Sequence, residues 1–216
     1  MASDLEFFFD PVCPFAWITS RWVAEVRAQT DYSVRWRFIS LAIVNEAKDY
    51  SQFPPTYGEV HGAGKRWLRV AAAVDETVGN DGVAAYYTAL GTRLHTAGVS
   101  RAVLGGAPLP GDLLSGALAD AGLDPAFAAA VDDEERDSVL RSDTATALGR
   151  TGPDVGTPIL TFDPGSDREN SLFGPVISRI PRGADAVALW DAVRTLAATP
   201  GFAEFKRSLR DEIDFA

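Results

Sequence analysis

The chain has 216 residues, 46% of them hydrophobic and 23% charged, with a formal net charge of −10, which suits one domain, or one domain with a sizeable insertion, and a real core. The acidic balance excludes a phosphate-backbone partner, so nucleic acid is not expected. No apolar run approaches the roughly 20 residues that span a bilayer, and Ser3, Asp4 and Glu6 stand where the basic and apolar regions of a secretion signal would lie; with one cysteine in the chain, a cytoplasmic location without a membrane partner is expected.

The first element predicted is a strand at LEFFF, residues 5–9, a nearly continuous apolar run too short for an ordinary helix. Asp10 and Pro11 end it, since aspartate favours turns and proline cannot donate into a central ladder. Pro14 suits the first position of a helix, where a missing N–H costs nothing. Trp17, Ile18, Trp22, Val23 and Val26 then recur at helical spacing, and the helix is predicted to end near Gln29 or Thr30. Cys13, the only cysteine, falls at the turn from strand to helix. A thiol there faces unpaired N–H groups and the positive end of the helix dipole, both of which favour the thiolate. Free cysteine is also among the most buried residue types, and a plain core role is the competing reading. Strand, turn, Cys-Pro and helix in succession favour the reactive thiol.

The segment FDPVCPFAWITSRW resembles the active-site start of the DsbA-like branch of the thioredoxin superfamily, in particular its mycothiol-dependent nitroreductase and disulfide-reductase group. The resemblance implies an α/β thioredoxin-like fold with a large all-helical insertion, and Cys13 as the catalytic nucleophile. Members usually carry Cys-Pro-x-Cys, whereas here the motif is Cys13, Pro14, Phe15 and Ala16, followed by Trp17. With no second thiol, a mixed disulfide on Cys13 has to be resolved by a thiol from another molecule. Phe15 and Trp17 are expected to shape an apolar wall.

Residues 32–39 read as a second strand, with Val34, Trp36 and Phe38 alternating with Arg35 and Arg37. A short helical turn and a proline-containing loop follow. In the family resembled this region borders the active-site cleft, and Asn45 matches a polar position there; a buried asparagine that satisfies loop backbone is the equal alternative. From residue 57 to about 149 the chain reads as successive helices without a strand pattern. Trp67, Leu68, Val70, Ala71, Val74 and Val78 give the first face, and residues 83–95 repeat it. A turn-rich interval leads to a helix over 112–121, another starting at Asp124-Pro125 and a last one over 132–148. The division expected is a thioredoxin-like domain of residues 1–45 and 150–216 with a helical insertion of residues 46–149.

The sheet is predicted to resume at Ile159, Leu160 and Phe162 and to continue, after a turn, through Ser171, Leu172 and Phe173. Thr157-Pro158 matches by place the cis-proline that faces the active-site thiol in thioredoxin-like folds, where the preceding backbone pairs with substrate; a proline that marks a sheet edge is the alternative. An amphipathic helix is predicted over 185–197 and a final helix over 202–213. Gly174-Pro175 also resembles the mycothiol-linked group. Kappa-type glutathione transferases carry a Ser-Asp pair after this glycine; here Pro175 and Val176 replace it, which implies mycothiol rather than glutathione as the small thiol. The thiol-binding candidates are Thr157, Pro158, Phe173, Gly174 and Pro175, with Asn45, Arg66, Arg69, His95 and Arg182 as donors for a polyhydroxyl head. Ordinary surface or core roles are open for the polar ones.

Two histidines and one cysteine make a metal site improbable, and no flavin or nicotinamide site is seen. A Cys-His hydrolase would need His61 or His95 beside Cys13 with an orienting carboxylate. The reading reached is a thiol-disulfide oxidoreductase that uses Cys13 alone and mycothiol as external thiol. A kappa-type transferase or hydroxychromene-carboxylate-isomerase-like enzyme, and a non-catalytic thiol- or protein-binding relative, stay open, as does a homodimer.

Overall fold

The computed structural model describes residues 3–53 and 56–215; the proline pair of the predicted loop, Pro54 and Pro55, lies outside them. The chain divides into two compact units. The first takes in the residues up to Phe9, then Cys13–Arg37 and Ala147 onward, and the second takes in Asp10–Val12 and Phe38–Thr146.

The first unit is built on a sheet of order β2-β1-β3-β4, with β1 at Leu5–Phe9, β2 at Val34–Phe38, β3 at Ile159–Phe162 and β4 at Asn170–Phe173. The two central strands are buried along their whole length, which accounts for their unbroken apolar sequence. β1 runs antiparallel to β3 with Leu5 opposite Phe162 and Phe8 opposite Ile159, and β3 runs antiparallel to β4 with Ile159 opposite Phe173. Helix α1, Pro14–Arg27, connects β1 to β2, and α8, Gly183–Ala197, follows β4. A β-α-β half joined to a β-β-α half around two central antiparallel strands is the thioredoxin-like arrangement.

Aromatic packing ties α8 to α1 and the sheet. The Trp190 ring lies 5.6 Å from that of Trp22, 5.0 Å from Tyr32 and 5.3 Å from Phe162, and Trp22 Nε1 donates to the Ala186 carbonyl at 2.8 Å. Buried indoles usually find such a polar partner while filling the core.

Among its described residues the second unit contains only helical elements, the insertion that the sequence predicts. In order they are α2 (Leu41–Val44), α3 (Thr56–Thr77), α4 (Asn80–Gly91), α5 (Val99–Leu104), α6 (Leu113–Asp120) and α7 (Asp137–Thr151), the last running on into the first unit. A π turn at Thr92–Thr96 extends α4. The helix expected from Asp124 is a 3-10 segment, Pro125–Asp132, and the one expected from residue 132 is a 3-10 turn, Glu134–Arg136, followed by α7. Asp124 and Asp133 each accept a hydrogen bond from the backbone two residues on, a local turn that restarts the chain instead of letting one helix run through. Helix α5 lies in the interval read as turns. No helix among the described residues is long and apolar enough to cross a membrane.

One predicted element is absent. The stretch 202–213, expected to be a helix, forms neither helix nor strand, and its apolar residues Phe205 and Leu209 are 81% and 86% exposed. Helices of this length take most of their stability from a packed apolar face, and here that face is uncovered.

Replacing Trp190 by Ala removes the ring at the centre of the α1, α8 and β3 packing and is expected to destabilise the protein by about 3–5 kcal/mol; urea unfolding followed by circular dichroism checks this.

Candidate active site

Cys13 occupies the N-cap of α1, in extended backbone (φ −80, ψ 113), and Pro14 takes the first helical position. This is the turn that an apolar strand, Asp-Pro and Cys-Pro impose locally. Cys13 is 8% exposed. Its Sγ accepts a hydrogen bond from the Ala16 N–H at 3.4 Å and donates to the Thr157 carbonyl at 3.4 Å. The helix terminus supplies an N–H and the positive end of its dipole to a sulfur that carries charge; the carbonyl supplies an acceptor for the protonated form. No acidic residue stands in the first turn of α1.

The Thr157–Pro158 peptide bond is cis. Thr157 is anchored on its other side, its Oγ1 donating to the Phe8 carbonyl at the end of β1 at 2.9 Å. The Pro158 carbonyl accepts from Gly174 N–H at 2.8 Å, which ties the head of β3 to the end of β4. Gly174–Pro175 is a second cis bond, and Gly174 has φ +98, backbone that favours glycine. The Pro175 carbonyl in turn accepts from Thr19 Oγ1 on α1 at 2.8 Å. Cys13, Thr157, Pro158, Gly174 and Pro175 are thus joined to one another through hydrogen bonds and chain neighbours. Phe173, next to Gly174, is 42% exposed.

The two aromatic residues of the motif each meet a guanidinium. Arg21, one helical turn along α1, lies 4.3 Å from the Trp17 ring centre, and Arg210, from the non-helical end of the chain, lies 5.2 Å from that of Phe15. The first contact was legible as an i, i+4 pair on a helix. The second was missed, because the apolar spacing over 202–213 pointed to a helix.

The remaining sequence candidates lie mainly in the second unit, each with a partner there. Arg69 grips Asp137 through two bonds of 2.7 and 3.0 Å and reaches the Val131 carbonyl at 3.2 Å, and it is this bidentate contact that chiefly holds the Asp137 carboxyl below its ordinary pKa. Arg66 pairs with Asp132 at 2.6 Å on the surface. Asn45 Nδ2 donates to the Leu41 carbonyl at 2.8 Å. His95 Nε2 lies 2.8 Å from the Pro11 carbonyl, and Tyr50 Oη lies 3.1 Å from His61 Nδ1. Arg182, in the first unit, pairs with Glu25 at 3.4 Å.

Burial shifts the titration of several groups in the second unit, Asp10 and His95 among them. Burial pushes the Asp10 carboxyl up to about 7, against the opposing effect of N–H bonds from Leu41 and Val12. Burial pushes His95 down to about 4. A raised carboxyl binds its proton more tightly in the folded protein, so Asp10 lowers stability as pH rises from about 4 to 7; a depressed imidazole binds its proton less tightly when folded, so His95 raises stability between about 4 and 6.5. The two trends oppose each other over that window. Urea unfolding at pH 4.5, 5.5 and 6.5 is expected to show a stability that falls with pH in His95→Gln, relative to the parent, and one that rises in Asp10→Asn.

Comparison with known proteins adds three findings. The model of a family described as Rv2466c-like, mycothiol-dependent nitroreductase Rv2466c, matches residues 12–207. The uncharacterized protein Rv2286c of Mycobacterium tuberculosis is 32% identical over 212 residues, which is 95% of this chain and 82% of that protein. Among solved structures, the cytosolic disulfide reductase DsbM from Pseudomonas aeruginosa is 19% identical, with a TM-score of 0.49 over 89% of this chain and 99% of that one. The oxidoreductase DsbA from Xylella fastidiosa is 21% identical, with a TM-score of 0.44 over 90% and 86%.

Proposed function

The chain belongs to the Rv2466c-like family, and from that premise we propose that it is a thiol-disulfide oxidoreductase that works through Cys13 alone and takes mycothiol as its external thiol. The observation that carries the proposal is the seat of the only sulfur of its kind in the chain, between the Ala16 N–H and the Thr157 carbonyl at the start of α1.

The reaction follows from that seat. Cys13 gives its proton to solvent, and the thiolate attacks one sulfur of a disulfide. A bond forms between Sγ and that sulfur as the substrate S–S bond breaks, and the other half leaves as a thiolate with the bonding electron pair. Ala16 stands where a resolving cysteine would complete the motif, so the mixed disulfide is opened by mycothiol, whose thiolate releases either Cys13 or the bound half. Thr157 and Pro158 position the substrate beside the sulfur, and Phe173, Gly174 and Pro175 continue the same lining. The pair Pro175-Val176 offers neither hydroxyl nor carboxylate to the charged amine of glutathione, which supports mycothiol as the partner. Nitro-group reduction is not included, because the second thiol is missing. A cytoplasmic site of action goes with a mycothiol-dependent enzyme.

Incubation of the reduced protein with mycothiol disulfide is expected to leave one mycothiol on Cys13, seen by intact mass and removed by free mycothiol, with none on Cys13→Ser. Protein that stays unmodified yet turns over a thiol with an electrophile would replace exchange by transfer. As a complementary test, Ala16→Cys restores a partner one turn from Cys13 and is expected to form an internal disulfide, read as the loss of two free thiols on oxidation without added mass from mycothiol.

A further inference from the structure

The end of the chain, residues 202–215, is neither helical nor folded away. It lies along the active-site unit through three contacts: the Asp214 N–H donates to the Ser178 carbonyl at 2.7 Å, Asp211 pairs with Arg179 at 3.3 Å, and the Arg210 guanidinium sits 5.2 Å from the Phe15 ring centre. Ser178 and Arg179 belong to the loop that begins at the cis Gly174–Pro175 bond, and Phe15 is the third residue of the Cys-Pro-Phe-Ala motif. The strap therefore runs from the loop after β4 to the Phe15 ring, two residues along the chain from Cys13.

The stretch as a whole carries both signs, with Lys206, Arg207 and Arg210 against Glu204, Asp211, Glu212 and Asp214. What it delivers to the wall is a cation. Phe15 is half-buried and Arg210 is exposed, so the guanidinium stays open to solvent, and a cation held over an aromatic face keeps its position and most of its charge. The protein around it has a net charge of −10, which disfavours anionic substrates at long range; a cation held over the ring two residues along the chain from Cys13 works against that preference locally.

We propose that Arg210 is a specificity-determining residue, brought to the Cys13 site by the C-terminal strap to favour anionic disulfides over neutral and cationic ones. The inference rests on the reading of Cys13 as an accessible nucleophile and adds to it the substrate class. Its chemistry is the exchange step already written: the Cys13 thiolate bonds to one sulfur of the incoming disulfide, and the other half leaves with the electron pair. Arg210 takes no part in bond making; it raises the encounter and binding of a disulfide that carries carboxylates.

The test uses two chromogenic disulfides on the full reduced chain, dianionic 5,5′-dithiobis(2-nitrobenzoate) and neutral 4,4′-dithiodipyridine, and reads the second-order rate constant of each. At low ionic strength, Arg210→Ala is expected to slow the dianionic reagent about three- to tenfold and to change the neutral one by less than about twofold. Arg210→Lys keeps the charge and is expected to preserve the ratio of the two rates within about twofold, and about 0.5 M salt is expected to erase the difference between parent and Arg210→Ala. Arg210 is exposed and outside any helix or strand, so both variants are expected to fold as the parent does. A ratio unmoved by Arg210→Ala overturns the proposal, as does an equal acceleration of both reagents, which would make the strap a shield blind to charge. A parent thiol inert to both reagents would bring down the nucleophile reading and this inference with it, an outcome distinct from the other two.

Discussion

The structure turns on one sulfur held between two backbone groups. Cys13 Sγ receives the Ala16 N–H and faces the Thr157 carbonyl, both at 3.4 Å, so one position serves both protonation states: the amide and helix terminus for the thiolate, the carbonyl for the thiol. Neither partner is a side chain. Substitution at Ala16 or Thr157 therefore leaves the groups themselves in place, and the site depends on the backbone path that presents them. That path is fixed from several sides, by Thr157 Oγ1 on the Phe8 carbonyl, by the Gly174 N–H on the Pro158 carbonyl and by Thr19 Oγ1 on the Pro175 carbonyl. The central strands, the end of β4 and the first turns of α1 are thereby locked together around Cys13.

A site made of backbone is indifferent to the substrate's identity and selects through what surrounds it. Phe15 within the motif and Trp17 directly after it each carry a guanidinium, one from the far end of the chain and one supplied along the same helix. Pro175 and Val176 follow Gly174, and neither offers a hydroxyl or a carboxylate to a charged amine, which is why the proposed partner is mycothiol and not glutathione. Ala16 stands where the motif would carry a second cysteine, and the proposed route therefore leaves the opening of a mixed disulfide to a small thiol.

The second unit uses its polar residues on itself. Arg69 is almost wholly buried and anchored on Asp137, which Lys65 also reaches at 3.1 Å, so the charge of a buried guanidinium is balanced within a small network. Asp10 and His95 are buried with opposite displacements of their pKa, so their contributions to stability run against each other across mildly acidic pH.

Much of this was written in the order of residues. The apolar run of β1, the Asp-Pro break, the Cys-Pro start of α1, the period-two pattern of β2 and the helical block after it are local patterns, and local patterns set local backbone. The place of Thr157-Pro158 ahead of β3 was legible for the same reason. A 3-10 segment replaced an expected helix because side chains of Asp124 and Asp133 turned back on their own backbone, which is an equally local choice. Other features were decided only when distant segments met. Arg66, Arg69 and His95 are each held by a partner that only folding brings near, while Asn45 bonds the carbonyl of Leu41, four residues back. The stretch 202–213 carries helical spacing and forms no helix, since periodicity describes a face without providing a surface to bury it. What the chain order determined by itself was the turn that seats a thiol at the head of a helix; what the tertiary structure alone decided was the company that thiol keeps, because contact between residues far apart in sequence has no signature in the spacing of either.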